Sequence, residues 1–285
     1  MEKDDFSWDI NANLGINKNK LNKLNSNLDF QLGPSIGFSQ AYPILFMVGQ
    51  PLGIYWGAQT DGIYANWDEA ISSGIAGAAP GEIKYVNNYV DLDASGQPLA
   101  IQEINFDDYV KIGDPNPDFT YSISNNFSYK NWDASFLFTG QIGGDLFWVD
   151  SWQLSGLQKS TNVLTSSFQN SWIAPITYEN GNFLYDPSVG NLNNASHPGA
   201  MIDPGKRAIS SDRNIYDGSF LRLKNINIGY NFNFSQNRNM RLYISGQNLI
   251  VWTDYPGYDP EVRTYTKNPQ KRGVDFGTYP GTKSL

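Results

Sequence analysis

The sequence predicts an all-β chain whose main sheet is the wall of a transmembrane antiparallel β-barrel. Three observations carry that expectation: long stretches of period-two alternation, connections that are short at one end and long at the other, and aromatic residues gathered beside the short turns. The alternation is plainest at 225–234, N-I-N-I-G-Y-N-F-N-F. There Ile226, Ile228, Tyr230, Phe232 and Phe234 share one face, and Asn225, Asn227, Gly229, Asn231 and Asn233 the other. Successive strand side chains point to opposite faces, so one face is apolar and the other wet. A soluble sandwich turns such an apolar face onto a core, whereas a membrane barrel turns it to lipid. Ten residues at roughly 3.3 Å each cover about 25 Å of height at a tilt of about 40°, the height of an outer-membrane lipid band.

The same pattern recurs along the chain. In 6–16, Phe6, Trp8, Ile10, Ala12, Leu14 and Ile16 alternate with polar residues and Gly15. An Asn-rich loop follows, and strands are expected around 36–48 and 52–64 with GQPLG at 49–53 as their turn. In 118–130, Phe119, Tyr121, Ile123, Phe127 and Tyr129 share a face, and Trp132, Ala134, Phe136 and Phe138 take up the alternation at once, so 130–131 must be a tight hairpin turn. The last full pair is 219–234 and 240–252, and a final strand is expected to begin near Phe276. The tally is roughly seven complete strands and part of an eighth.

Short turns at 49–53, 130–131 and 235–239 alternate with long connections at 17–35, 65–117, 149–217 and 253–275. That is the layout of short periplasmic turns and long extracellular loops. Tyr129, Trp132, Tyr230, Phe232 and Phe234 lie beside the short turns, where an aromatic girdle belongs, although strand propensity alone also favours these residues. One irregularity stands in SFLRLKN at 219–225. Leu221 and Leu223 take the parity that later carries Asn, and Arg222 and Lys224 take the apolar one. Either this half rises above the lipid band or a bulge near Lys224 restores the phase.

Composition narrows the function classes. Charged residues make up 17% of the 285, below the roughly 25% of soluble domains, while aromatics reach 14% and Gly numbers 27. A net charge of -8 argues against nucleic acid or anionic headgroups as partners. The absence of Cys removes disulfides, thiolate metal sites and Cys nucleophiles. The longest apolar run, AYPILFMVG at 41–49, is too short for a transmembrane helix and holds Pro43. The start MEKDDFSWDI has neither a basic n-region nor an apolar h-region, so no signal peptide is expected.

Five segments, GQPLGIYWGAQTDGIY at 49–64, GDPNPDFTYSISNNFSYKNWDASFLFTGQIGGDLF at 113–147, DGSFLRLKNINIGYNF at 217–232, SGQNLIVWTDYPGYDPEV at 245–262 and GVDFGTYP near the end, stand in one order along the chain. In content and order they resemble one family, the SusC/RagA-type TonB-dependent outer-membrane transporters. The resemblance implies that 1–285 is the C-terminal segment of a plugged barrel of about 22 strands, without plug, TonB box or signal peptide. It implies import of oligosaccharides or peptides rather than catalysis. The implied partners are a SusD-like surface lipoprotein, the TonB complex and outer-membrane lipid, in a Gram-negative, Bacteroidetes-like cell. The family continues past a YP-x-x-R/K-S/T segment into one more strand ending in an aromatic; here YPGTKSL ends at Leu285, so that strand is expected only to begin. Two rivals stay open: an independent small outer-membrane barrel, and a secreted soluble β-protein that binds carbohydrate.

Candidate site residues are few. Trp148, Trp152 and Trp172, with Tyr255 and Tyr258, are rim and loop aromatics that could stack on sugar rings or pack loop against loop. Asp91, Asp93 and Ser95 open like a calcium loop with Gly96 in sixth place, but the twelfth position is Gln102, so a structural calcium competes with a plain Asx-rich turn. No other cofactor is expected. Asp107 and Asp108 read as a solvated loop rather than a glycosidase pair, and His197, the single histidine, as a surface residue without triad context.

Overall fold

The structure is a computed structural model, and it describes residues 2–3, 5–36, 42–155, 162–173, 176–185, 195–199, 209–235, 238–261 and 268–285. The strands, numbered in chain order, are β1 (Glu2–Lys3), β2 (Phe6–Gly15), β3 (Phe30–Leu32), β4 (Ile44–Met47), β5 (Ile54–Gly57), β6 (Thr60–Ile63), β7 (Ile83–Tyr85), β8 (Val110–Gly113) and β9 (Pro117–Tyr129). Then come β10 (Trp132–Gly143), β11 (Leu146–Trp148), β12 (Ile176–Glu179), β13 (Asn182–Tyr185), β14 (Ile215–Tyr216), β15 (Phe220–Ser235), β16 (Arg238–Trp252) and β17 (Val274–Asp275). Short helices α1 (Trp67–Ser72), α2 (Ser151–Leu154) and α3 (Thr165–Gln169) lie between them. No described helix is long and apolar enough to cross a membrane.

The main sheet runs β1-β2-β9-β10-β15-β16, antiparallel at every neighbour. Its register puts all the alternating faces in phase. Ile228 lies between Ala134 and Ile244, Tyr230 between Trp132 and Leu242, and Phe127 pairs with both Ala134 and Trp8. The irregularity at 221–224 proves to be a bulge. Between β10 and β15 the register passes from Leu137↔Asn225 to Phe138↔Leu223, leaving Lys224 unmatched. Toward β16 it passes from Asn225↔Gln247 to Leu223↔Ile250, and Asn248 absorbs the offset at φ 53°. The extra residue flips the parity. Leu221 and Leu223 therefore rejoin the face of Ile226, and Arg222 turns to the wet face.

That apolar face has no cover among the described residues. Leu242 is 66% exposed and Ile244 61%, and Ile10, Leu14, Met240 and Phe234 are exposed beside them. At the short-turn end Trp132 packs edge-on against Tyr230, Tyr230 against Phe232, and Phe232 stacks on Phe234. Lys130 turns the β9–β10 hairpin at φ 52°. On β9 the alternation admits Asn125 into the apolar row, where Trp8 Nε1 donates to its Oδ1 at 3.3 Å.

All three long connections leave from the opposite end, and together they build a lobe. Residues 16–116 contribute the sheet β3-β4-β5-β8 and the β6-β7 hairpin, while 144–219 and 253–285 share the sheet β14-β11-β17. The principal core lies here. Ile36, Ile44, Phe46, Tyr55, Phe147, Val149, Trp152 and Val274 pack together, drawn from all three connections. The lobe is thus held by ordinary apolar burial while the main sheet is not.

The all-β antiparallel class stands, but fewer strands span the main sheet than the pattern suggested. Five are long; the strands expected at 36–48 and 52–64 are instead the short β4, β5 and β6, buried in the lobe. Both faces of β4 and β5 are covered, since Ile44, Leu45 and Phe46 are buried in succession and so are Ile54 and Tyr55, and such strands lose the alternation that marks a half-solvated one. Part of the first expected strand, 37–41, lies outside the described residues, as do 236–237 of the last short turn. The strand expected near Phe276 is also absent: Val274–Asp275 pairs in parallel with β11, and the tail meets β16 in a single bridge at Ser284, which exchanges two backbone hydrogen bonds with Gln247, while the Asn248 side chain donates to Thr282 O beside it.

Candidate functional site

The wet face of the main sheet and the lobe above it form the candidate site. Along that face Ser7 and Ser128 share a 2.7 Å hydrogen bond, and Asn13 donates to Ser122 at 3.3 Å. Near the short turns Arg241 reaches across β15 to Asp133, with Nε 3.2 Å from Oδ2, and Asn231 donates to the same oxygen. Gly229 lies under this bridge, where an added Cβ would come within 2.6 Å of the guanidinium. Half a strand higher stands a buried charge cluster. Arg222, 3% exposed, donates to Asp259 Oδ1 at 2.5 Å, and Glu261 Oε2 lies 2.8 Å from its Nε, off the N–H direction. Lys224 Nζ completes it, 3.5 Å from Glu261. Asp259 Oδ1 also accepts the Glu261 amide, and its Oδ2 the Gly281 amide, so the last connection is pinned onto the strand face.

Four of the five candidate aromatics are consumed by packing. Trp148, Trp152, Trp172 and Tyr255 are all buried, and only Tyr258 is exposed. Trp148 and Tyr255 form an edge-to-face triangle with Tyr216, while Trp152 packs on Phe147. Tyr255 donates to Asp275 Oδ2 at 2.5 Å; burial, and then that carboxylate, push its phenol far above the ordinary range. Three separate loops had to meet before these rings were covered, which no local pattern shows.

The Asp91 loop is an Asx turn. Asp93 Oδ1 accepts the amides of Ser95 and Gln97 and the Ser95 hydroxyl, and these bonds hold its carboxyl below the usual range. Asp91 accepts from the Glu103 amide and the Asn105 side chain, and Gln102 ties back to Leu99 and Asp91. Among the described residues no group of three or more His, Asp or Glu could hold a metal ion. Asp108 is not solvated: it is fully buried and accepts the amides of Asn88, Tyr89 and Asn105. His197 is half-buried rather than on the surface, its carbonyl accepting the Trp172 amide; burial, then Arg213, lower its pKa.

Where β10 enters the lobe, Asp145 and Asp114 exchange bonds: each amide donates to the other residue, at 2.7 Å in both directions. Burial is the main reason that the Asp145 carboxyl is raised, with the charges of Asp217 and Asp114 adding to it. A raised carboxyl stabilises the fold fully below its unfolded value of about 3.9, and that stabilisation is lost as pH rises through the folded value. Asp145→Asn cannot ionise and its Oδ1 can still accept. Its melting temperature relative to the parent should therefore be higher at pH 7 than at pH 4, and a difference that stays constant across that range would refute the assignment.

No family model matches the chain. TonB-dependent receptor P3 of Formosa agariphila is 32% identical over 99% of it, and TonB-dependent receptor SusC of Bacteroides thetaiotaomicron is 24% identical over 97%. The chain is similar to TonB-dependent receptors over nearly its whole length. It spans about a quarter of these relatives, 26% of the first and 23% of the second. The solved structure of the RagAB peptide transporter superposes with a TM-score of 0.68 over 99% of this chain and 27% of that one, at 18% identity, a likeness of fold. That likeness of fold takes in the sheet and the lobe together.

Proposed function

We propose that the chain is a stretch of wall and extracellular lobe in an outer-membrane, TonB-dependent importer of oligosaccharides or peptides, in a Gram-negative, Bacteroidetes-like cell. Its work is transport rather than catalysis. The carrying observation is the two-faced sheet: an uncovered apolar face kept continuous through the Lys224 bulge, backed by a face of Ser, Thr, Asn and Arg suited to a hydrated channel. A SusD-like lipoprotein would dock on the lobe and the TonB complex would drive the import. Peptide and glycan remain alternative cargoes, because the tryptophans that suggested sugar stacking are occupied in packing.

The rivals fit less well. A small closed barrel needs its edge strands joined, yet β1 and β16 end the sheet unpaired to each other. A soluble protein would need a cover for Leu242, Ile244 and their neighbours. Trp132, 54% exposed at the girdle, supplies the test. Reconstituted in vesicles with brominated acyl chains, the protein should lose Trp132 fluorescence, read as the difference from Trp132→Phe. Undiminished emission would place that ring in water and sink the membrane reading.

A further inference from the structure

Where the last connection returns over the first, the lobe is cleft. A cavity of about 390 Å³ lies among the stretches around Leu52, Asn116 and Arg272, with Asn19 beside them. That volume falls within the ~300–1,000 Å³ of ligand pockets. Two smaller hollows continue it. One, of about 220 Å³, shares Leu52, Pro269 and Gln270 with it and is lined by Leu21, Leu24 and Phe46. The other, of about 170 Å³, shares Asn116 and Arg272 and reaches Gly15 and Thr120, which pair at the lobe end of β2 and β9.

The walls are tied in place by bonds that use their acceptors. Asn19 Nδ2 donates to Asn116 Oδ1 at 3.0 Å, its Oδ1 accepts the Leu52 amide at 2.7 Å, and Asn116 Nδ2 donates to Leu52 O at 3.2 Å. The Arg272 carbonyl accepts from Tyr55 Oη at 3.0 Å. Gly273 follows at φ 72°, where an added Cβ would come within 2.5 Å of that hydroxyl. The backbone beneath the Arg272 side chain is therefore fixed. The donors, by contrast, are free. Arg272 is exposed, and its guanidinium makes no hydrogen bond or ion pair with any described residue. Asn268 Oδ1 accepts the Gln270 amide at 3.0 Å, which leaves Nδ2 as a donor without a partner among the described residues. Lys271 adds a second cation, already engaged. No Asp or Glu stands among the described lining residues of the three hollows, in a chain whose net charge is -8.

A free guanidinium and a free amide donor on one cavity, with a leucine-lined hollow adjoining it, suit a guest that brings negative charge on an apolar stem. We infer that the cleft binds an aliphatic carboxylate, the chemistry shared by a peptide C-terminus with an aliphatic last residue and a free branched-chain acid. The carboxylate meets Arg272 in the bidentate pairing that a planar guanidinium favours. Asn268 Nδ2 donates to the same group, and the stem lies toward Leu21, Leu24 and Phe46. This inference rests on the cleft alone and does not depend on the transport reading.

The test is saturation-transfer NMR on the protein in detergent micelles, with N-acetylleucine, N-acetylleucinamide and N-acetylglycine as probes. N-acetylleucine should bind about tenfold more tightly than its amide, since charge-assisted hydrogen bonds are about twice as strong as neutral ones. It should also bind about tenfold more tightly than N-acetylglycine, which has no stem to bury. Arg272→Gln, on an exposed side chain whose main-chain bonds it keeps, should erase the preference for the acid over the amide. Asn268→Asp keeps an oxygen on the Gln270 amide but puts a carboxylate where the free donor stood. It should weaken N-acetylleucine about tenfold and leave the amide's binding unchanged, which also shows that the cleft still folds. Isocaproate separates the sources: binding as tight as N-acetylleucine means a free acid, and weaker binding means a peptide terminus. The amide binding as well as the acid, N-acetylglycine binding as well as N-acetylleucine, indifference to both substitutions, or no binding by any probe would each overturn the assignment.

Discussion

Replacing Ile244 by Arg should destabilise the lipid-inserted sheet by about 2–4 kcal/mol, whereas Ser245→Arg, one residue further on, should cost less than about 1 kcal/mol. Ile244 pairs with Ile228 on the uncovered apolar face, and Ser245 pairs with Asn227 on the wet one. Six residues beyond Arg238, at roughly 3.3 Å each and a tilt of about 40°, put Ile244 about 15 Å above the short turn, near the middle of a lipid band about 25 Å tall. A cation is most expensive at that depth and cheap in a hydrated lumen. The measurement is urea-dependent folding into vesicles, followed by heat-modifiable mobility on a gel. Equal penalties at 244 and 245 would mean that the two faces do not see different solvents, and the barrel-wall assignment would fail with them.

That contrast of faces was legible in the sequence because alternation is a local property. Each residue in 225–234 reports its own side of the sheet, and the parity break at 221–224 left two explanations open, of which the bulge is the one observed. The lobe was far less legible. Ile44, Leu45, Ile54 and Tyr55 are covered on both sides, so β4 and β5 give an unbroken apolar run that reads equally well as a spanning strand. Trp148, Trp152 and Trp172 read as loop aromatics because the residues that cover them come from distant stretches: Tyr216 and Tyr255 lie over Trp148, and Gly81 beneath Trp172. Asp108 is the converse case, an acidic residue in a polar stretch whose burial follows from three amides turned toward it.

Arg222→Ala is expected to cost about 3–5 kcal/mol, the penalty for leaving a buried counter-ion without its partner. Asp259, 6% exposed, would keep the Glu261 and Gly281 amides but lose the only cation that reaches it among the described residues. The effect should be local as well as energetic. Asp259 ties the last connection both to β15 and to Gly281, three residues before Ser284 pairs with Gln247, so hydrogen exchange should rise at 261, 281 and 284 while the β9–β10 pair stays protected. Arg222→Lys should recover only part of the loss, because a single ammonium cannot serve Asp259 and Glu261 with the guanidinium's geometry. The double replacement Arg222→Met with Asp259→Leu should be less damaging than Arg222→Ala alone, because removing both charges also removes the desolvation that each imposes. If the double variant is instead the worse of the two, the charge pairing is not what holds the connection down. The Arg222 guanidinium over the Phe220 ring, its carbon 5.7 Å from the ring centre, would then be the contact that matters.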